Sequence, residues 1–211
     1  MAITKPQLIL EMFILFIVMP LVLLVDIHPG IKASVILLAV VYAVRIVVKL
    51  KLVNRQELYA LPRDKYWKNI FMRFGLLIVL TTTFMLLFHP DDLFIVGRRN
   101  LGMLIGISLF YSLFSVYPQE FLYRSFFFER YKGLFSNTRF TILVNAVLFA
   151  FAHIAFKNVL VLAMTFVGGL VFSMTFLKTK SLLLTSIEHA LYGCWLFTVG
   201  MGEMLAFPIP E

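Results

Sequence analysis

The sequence predicts an all-α fold, a polytopic transmembrane bundle of about 7–8 spans, on three observations. First, its 211 residues are 61% hydrophobic and 14% charged, against roughly 45–50% and about 25% in soluble domains. Second, the apolar residues gather into runs of about 20, the length a helix needs to cross a bilayer. Third, the basic residues fall in the segments between those runs and at their ends. One membrane domain is expected over residues 1–211, with residues 101–202 as the core that carries the buried polar groups.

The runs can be taken in order. The first lies near 8–27 (LILEMFILFIVMPLVLLVDI), with Pro20 expected to kink it because proline lacks a backbone donor. It has no small-residue cleavage pattern and reads as a retained helix. The second lies near 31–49, after the turn HPG. The segment KLKLVNRQELYALPRDKYWKN is the longest loop, and its Tyr59, Tyr66 and Trp67 suit the membrane interface. The third run lies near 70–88 and is followed by HPDDLFIVGRRN. The fourth is long, near 101–128, and closes on the basic turn ERYKGLFSNTR. The fifth, sixth and seventh lie near 140–156, 159–177 and 182–202, and an eighth short or re-entrant piece stays open. Gly168 and Gly169 are expected to let helices approach closely.

Charge orients the spans. The formal net charge is +8, and its placement in loops and helix ends argues for membrane insertion, with no nucleic-acid partner expected. Lys49, Lys51, Arg55, Arg63, Lys65 and Lys68 follow the second run. Arg130, Lys132 and Arg139 follow the fourth, and Lys178 and Lys180 the sixth. Seven spans put these loops on one side, which the positive-inside rule makes cytoplasmic. The N-terminus is then cytoplasmic, in the cell (inner) membrane, and Arg98 and Arg99 fall on the opposite side. The single cysteine, Cys194, excludes an internal disulfide.

Ionisable groups deep in a bilayer cost several kcal/mol, so they face the bundle interior and have partners. Glu120 and Arg124 on the fourth run, His153 on the fifth and His189 on the seventh qualify, with Glu188 beside His189. Glu120 and Arg124 are four apart and can pair on one helix face, which by itself is an ordinary structural ion pair. Gln119 is turned about 100° from Glu120, so the two share a target only if the helix is distorted, as Pro118 allows. A lone membrane histidine is more often a helix-to-helix hydrogen bond than a catalyst. Two histidines and a carboxylate on three helices are the inventory of a general base with an electrophilic partner. They are equally that of a His₂Glu zinc site or of a transporter's proton path. Glu11, Asp26 and Arg73 read as helix-end charges reaching the interface, and Phe126–Phe128 as lipid-facing or core.

Three blocks in order resemble a known family. Gln119-Glu120-x-x-x-Arg124 resembles its EExxxR motif, Phe149-x-x-x-His153 its FxxxH and His189-x-x-x-Gly193 its HxxxN. Together they are similar to the CPBP family, the CAAX prenyl proteases and bacteriocin-processing (Abi) membrane proteases, over about half of the chain. The resemblance implies an intramembrane endopeptidase that hydrolyses a peptide bond of a membrane-associated protein or peptide. It implies catalytic roles for Glu120, His153, His189, Gln119 and Arg124, with Glu120 and His153 activating water and His189 stabilising the oxyanion.

Two residues depart from the pattern. Gln119 stands where the family has a glutamate, and an amide cannot take a proton at working pH. Gly193 stands where it has an asparagine, and offers no side-chain donor. In an active enzyme Glu120 is then the base, or Gln119 only orients the water. Oxyanion donation falls to His189 with Tyr192, one turn away; Tyr192 and Gly193 thus make up the substrate and oxyanion side. Asn145 and Cys194 are weaker candidates. The alternative is a catalytically degenerate scaffold or immunity protein of the same fold. No cofactor is expected. Zinc is the alternative, but with Glu120 spent as a ligand no separate base remains, and with Glu120 as base only two histidines remain.

Overall fold

A computed structural model of the chain describes residues 4–62 and 65–205, for Leu205 the backbone alone. Arg63 lies outside the described residues. Seven helices among them are long and apolar enough to cross a membrane: α1 (Lys5–Val22), α2 (Pro29–Leu50), α3 (Lys65–Phe88), α4 (Leu101–Arg130), α5 (Thr138–Phe156), α6 (Val159–Thr179) and α7 (Leu182–Val199). The protein is a multi-pass membrane protein. Among the described residues two five-residue helices lie between spans, Arg55–Tyr59 between α2 and α3 and Ile95–Arg99 between α3 and α4, and neither is long enough to be an eighth span.

The ends follow capping chemistry. Asn100, Asn137, Asn158 and Ser181 each turn a side-chain oxygen onto free backbone N–H groups at the starts of α4, α5, α6 and α7. Lys51, Lys180 and Gly200 close α2, α6 and α7 in the left-handed conformation. At Gly200 glycine is needed for space too, since a Cβ would lie 2.1 Å from the Asp92 carbonyl oxygen.

Both intrahelical prolines change the helix in the same way. Residues Ile14–Val18 form a π-helical segment just before Pro20, and Tyr111–Val116 another just before Pro118. Proline cannot donate to the carbonyl four residues earlier and its ring crowds that carbonyl, so the preceding turn widens. In α4 a second π-helical segment, Phe121–Phe126, begins just after Glu120 and contains Arg124. The wide turns are the distortion that Pro118 was expected to allow.

α4–α7 hold most of the core. Phe126, Phe127 and Phe128 are buried in one cluster with Phe16, Phe149, Phe172 and Phe176, which settles them as core rather than lipid-facing. Gly169 lets α6 approach α5: a Cβ there would lie 2.8 Å from Ala146 Cα. Gly168 does not share this role, because a Cβ there would meet only Phe172 of its own helix.

Glu11 is no interface charge, contrary to expectation. Its carboxylate is nearly buried and accepts two hydrogen bonds from Arg130, at 2.9 and 2.7 Å, and others from Tyr42 and Tyr131. The bidentate pair ties α1 to the end of α4. Burial, and then the Glu11 carboxylate, push the Tyr131 hydroxyl well above its ordinary range.

Candidate active site

The bundle holds a partly open cavity of about 710 Å³ to which all seven spans contribute wall. Its walls are mostly apolar. Among the described residues no aspartate or glutamate lines it, and its polar side chains include Gln119, Tyr111, His153, His189, Tyr192 and Arg73.

His153 enters this cavity from a break in α5. The regular helix runs only over Thr138–Phe151, roughly 21 Å at 1.5 Å per residue and short of a hydrocarbon core of about 30 Å. His153 follows in a turn, at φ −94° and ψ 7°, and the short 3₁₀ segment Ile154–Phe156 comes next. The sequence placed His153 on a continuous helix. Irregular backbone at membrane depth is tolerated where protein or a water-filled cavity covers it, and here it lines the cavity. His153 Nδ1 lies 2.8 Å from the Phe149 carbonyl oxygen. A carbonyl only accepts, so Nδ1 carries the hydrogen and the neutral ring keeps a bare Nε2.

His189 is held on every side. Its Nδ1 lies 2.9 Å from Glu120 Oε1 and its Nε2 3.0 Å from the Tyr111 hydroxyl. Its ring stacks on Phe172, with centroids 4.6 Å apart. With Glu120 ionised, Nδ1–H donates to the carboxylate and the neutral ring's Nε2 accepts from the Tyr111 O–H.

Glu120 sits behind the cavity wall, fully buried. One oxygen faces His189. The other lies 3.0 Å from Arg124 Nε, an ion contact without aligned hydrogen-bond geometry. Arg124, equally buried, also donates to Asn145 Oδ1, and its guanidinium lies 4.8 Å from the centre of the Phe149 ring. Asn145 further accepts from Ser173 and donates to the Tyr123 carbonyl. It belongs to the clamp on Arg124 and not to the cavity, and Cys194 likewise stays outside the cavity lining.

Gln119 and Glu120 therefore divide. Gln119 lines the cavity, donates through Nε2 to Ser115 at 2.8 Å, and leaves Oε1 without a partner. Phe149 gathers the site: Arg124 lies over its ring, while His153 and His189 pack edge-on at 5.0 and 5.6 Å between centroids. The two histidines, on α5 and α7, thus meet at one aromatic ring.

Tyr192 and Gly193 both line the cavity, but the Tyr192 hydroxyl donates to Glu188 Oε1 at 2.9 Å. Glu188 also receives Arg73, at 3.1 Å. Arg73 thus points inward instead of reaching the interface. The sequence reading also missed Tyr111 and Ser115. The spacing of four from Tyr111 to Ser115 to Gln119 was the available signal, a polar stripe on an otherwise apolar helix. No group of three or more His, Cys, Asp or Glu side chains placed to hold a metal ion occurs among the described residues.

Fold and site together define a multi-pass helical membrane protein with a buried Glu–His–Tyr line and a second histidine at an intramembrane cavity. Residues 100–195 match the family model described as Type II CAAX prenyl endopeptidase Rce1-like. That match spans all three motif blocks and agrees with their resemblance to the CPBP family. The bundle is the all-helical, CPBP-like architecture expected from the sequence. No curated protein and no solved structure compared with the chain gives a match.

Proposed function

We propose that the chain is an intramembrane endopeptidase that hydrolyses a peptide bond of a membrane-associated protein or peptide. It would act in the cell (inner) membrane with its N-terminus in the cytoplasm. The observation that carries this reading is His153, whose bare Nε2 belongs to a residue lining a partly open, largely apolar cavity beside a second, fully engaged histidine. A general base needs a free lone pair within reach of water and a site that limits bulk solvent.

In this mechanism a water between His153 and Gln119 is the nucleophile. His153 Nε2 takes its proton as it attacks the peptide carbonyl carbon, and Gln119 Oε1 accepts its other hydrogen. His153 returns the proton to the leaving amine. Glu120 acts from behind: it fixes the tautomer and angle of His189, as Arg124 fixes Glu120. Among the described residues, the cavity side chains supply this chemistry without a resident group, and they offer a metal no three-ligand set.

The test compares membrane-protein termini in cells carrying wild type or His153→Ala at matched, folded levels. A new terminus present only with wild type is expected, and it would name the substrate. Equal termini would sink the reading.

One observation favours a second reading, a catalytically degenerate scaffold or immunity protein: no carboxylate among the described residues lines the cavity. On that reading neither wild type nor Gln119→Glu changes any terminus. On the first, Gln119→Glu adds a carboxylate base at the cavity and raises cleavage.

A further inference from the structure

Residue 193 and Tyr111 compete for one space. A Cβ at 193 would lie 2.3 Å from both the hydroxyl oxygen and Cε1 of Tyr111, well inside any real contact distance. Only glycine at 193 lets the Tyr111 ring lie there. The ring is held edge-on by Phe197, with centroids 4.9 Å apart, and the hydroxyl lies 3.0 Å from His189 Nε2.

The hydroxyl thus ends a line that runs Arg124, Glu120, His189, Tyr111, from fully buried charge to cavity wall. His189 has no nitrogen left for a substrate, because Glu120 and Tyr111 take both. Tyr192 spends its hydroxyl on Glu188. Tyr111 differs from both. A hydroxyl has one hydrogen and two lone pairs and turns about a single bond. Its hydrogen, directed at Nε2 at rest, can be redirected to an acceptor in the cavity without moving the ring.

We propose that Tyr111 donates the hydrogen bond to the oxygen of the reacting carbonyl, and that Gly193 is the condition for its being there. Positions 111 and 193 are one functional unit on two facing helices: a single side chain fills the space and supplies the donor. This rests on the peptidase reading. The departure at 193, which by sequence removes a donor, is the opening through which α4 provides one.

The experiment is a double-mutant cycle in the full-length protein in membranes and in detergent. Its variants are Tyr111→Phe, Tyr111→Ala, Gly193→Asn and the pair Tyr111→Ala with Gly193→Asn. Thermal unfolding of the solubilised protein and the rate at which the wild-type-dependent terminus appears are the two readouts. Tyr111→Phe keeps the ring; it is expected to unfold close to wild type and to cleave about 10²–10³-fold more slowly, the usual loss for one oxyanion donor. Gly193→Asn is expected to lower the unfolding temperature, and Tyr111→Ala in the same chain to restore it. The paired variant then places an amide donor in the vacated space and cleaves faster than Tyr111→Ala alone. Cleavage by Tyr111→Phe at the wild-type rate overturns the donor role. Additive unfolding shifts overturn the pairing. A wild type that generates no terminus is a different result: it removes the peptidase reading, and the donor role with it.

Discussion

Two fully buried carboxylates lie around the same cavity, Glu120 on α4 and Glu188 on α7, and each has an arginine. They differ in where the arginine lives. Arg124 is on the same helix as Glu120 and is itself inaccessible, whereas Arg73 comes from α3 and keeps 30% of its side chain exposed. Arg124 has Asn145 and the Phe149 face as further partners. Glu188 has Tyr192 and Arg73, and Arg73 has Thr175. The first pair is closed on all sides and positions His189; the second ties α3 to α7 and keeps a cationic group at the cavity wall. Ion pairing alone thus does not mark a site. What marks the Glu120 pair is the histidine its second oxygen holds.

The largest way to break the comparison is Arg124→Ala. It leaves the Glu120 carboxylate buried without its cation and empties space under Phe149. Removing one partner of a buried pair costs about 3–5 kcal/mol. Arg124→Ala is expected to accumulate poorly and to lose cooperative unfolding in detergent. A normal unfolding temperature would mean that the clamp adds nothing to stability.

Arg73→Ala is the matching change at the other pair, with a smaller expected effect. Glu188 keeps the Tyr192 hydroxyl, and a partly exposed cation gives up less when removed. A buried acceptor left short of a donor costs about 1–3 kcal/mol. The variant is expected to fold, to unfold at a lower temperature than wild type, and to stay more stable than Arg124→Ala. The reverse order would show that the α3–α7 tie, and not the clamp on α4, holds the bundle.

The same contrast explains what could be read in the sequence. The spans were legible because length and apolarity are local properties: the fourth run near 101–128 became Leu101–Arg130, and the seventh near 182–202 became Leu182–Val199. The site residues were legible because ionisable groups in apolar runs are rare, and of the candidates named from the sequence Gln119, His153, His189, Tyr192 and Gly193 line the cavity, while Glu120, Arg124, Asn145 and Cys194 do not. Pairings across the bundle were not legible. Arg73 looked like a helix-start charge because its partner lies 115 residues away in sequence, and Glu11 looked interfacial because Arg130 lies 119 away. Whether Glu120 faced the cavity or its wall depended on π-helical turns on both sides of residues 117–120. A regular 100° wheel could not give that orientation. Tyr111 was missed for a related reason: its importance comes from the absence of a side chain on another helix.

The smallest effect sharpens the comparison most. Glu188→Gln keeps the length and one acceptor of the side chain, so Tyr192 and Arg73 each keep a possible oxygen partner. It removes only the charge. Arg73 then loses its counter-ion, but its exposed portion reaches the cavity, where water can solvate it. The expected loss is within about 1 kcal/mol, the range of a pair that is not fully desolvated. Glu120→Gln makes the same chemical change where Arg124 has no exposed side-chain surface, and it must lose clearly more in an unfolding titration of the solubilised protein. It also offers His189 Nδ1 a neutral partner in place of a carboxylate, which loosens the hold on the ring. If the two glutamines prove equally mild, burial of the arginine is not what separates the pairs, and the special position of Glu120 must come from His189 alone.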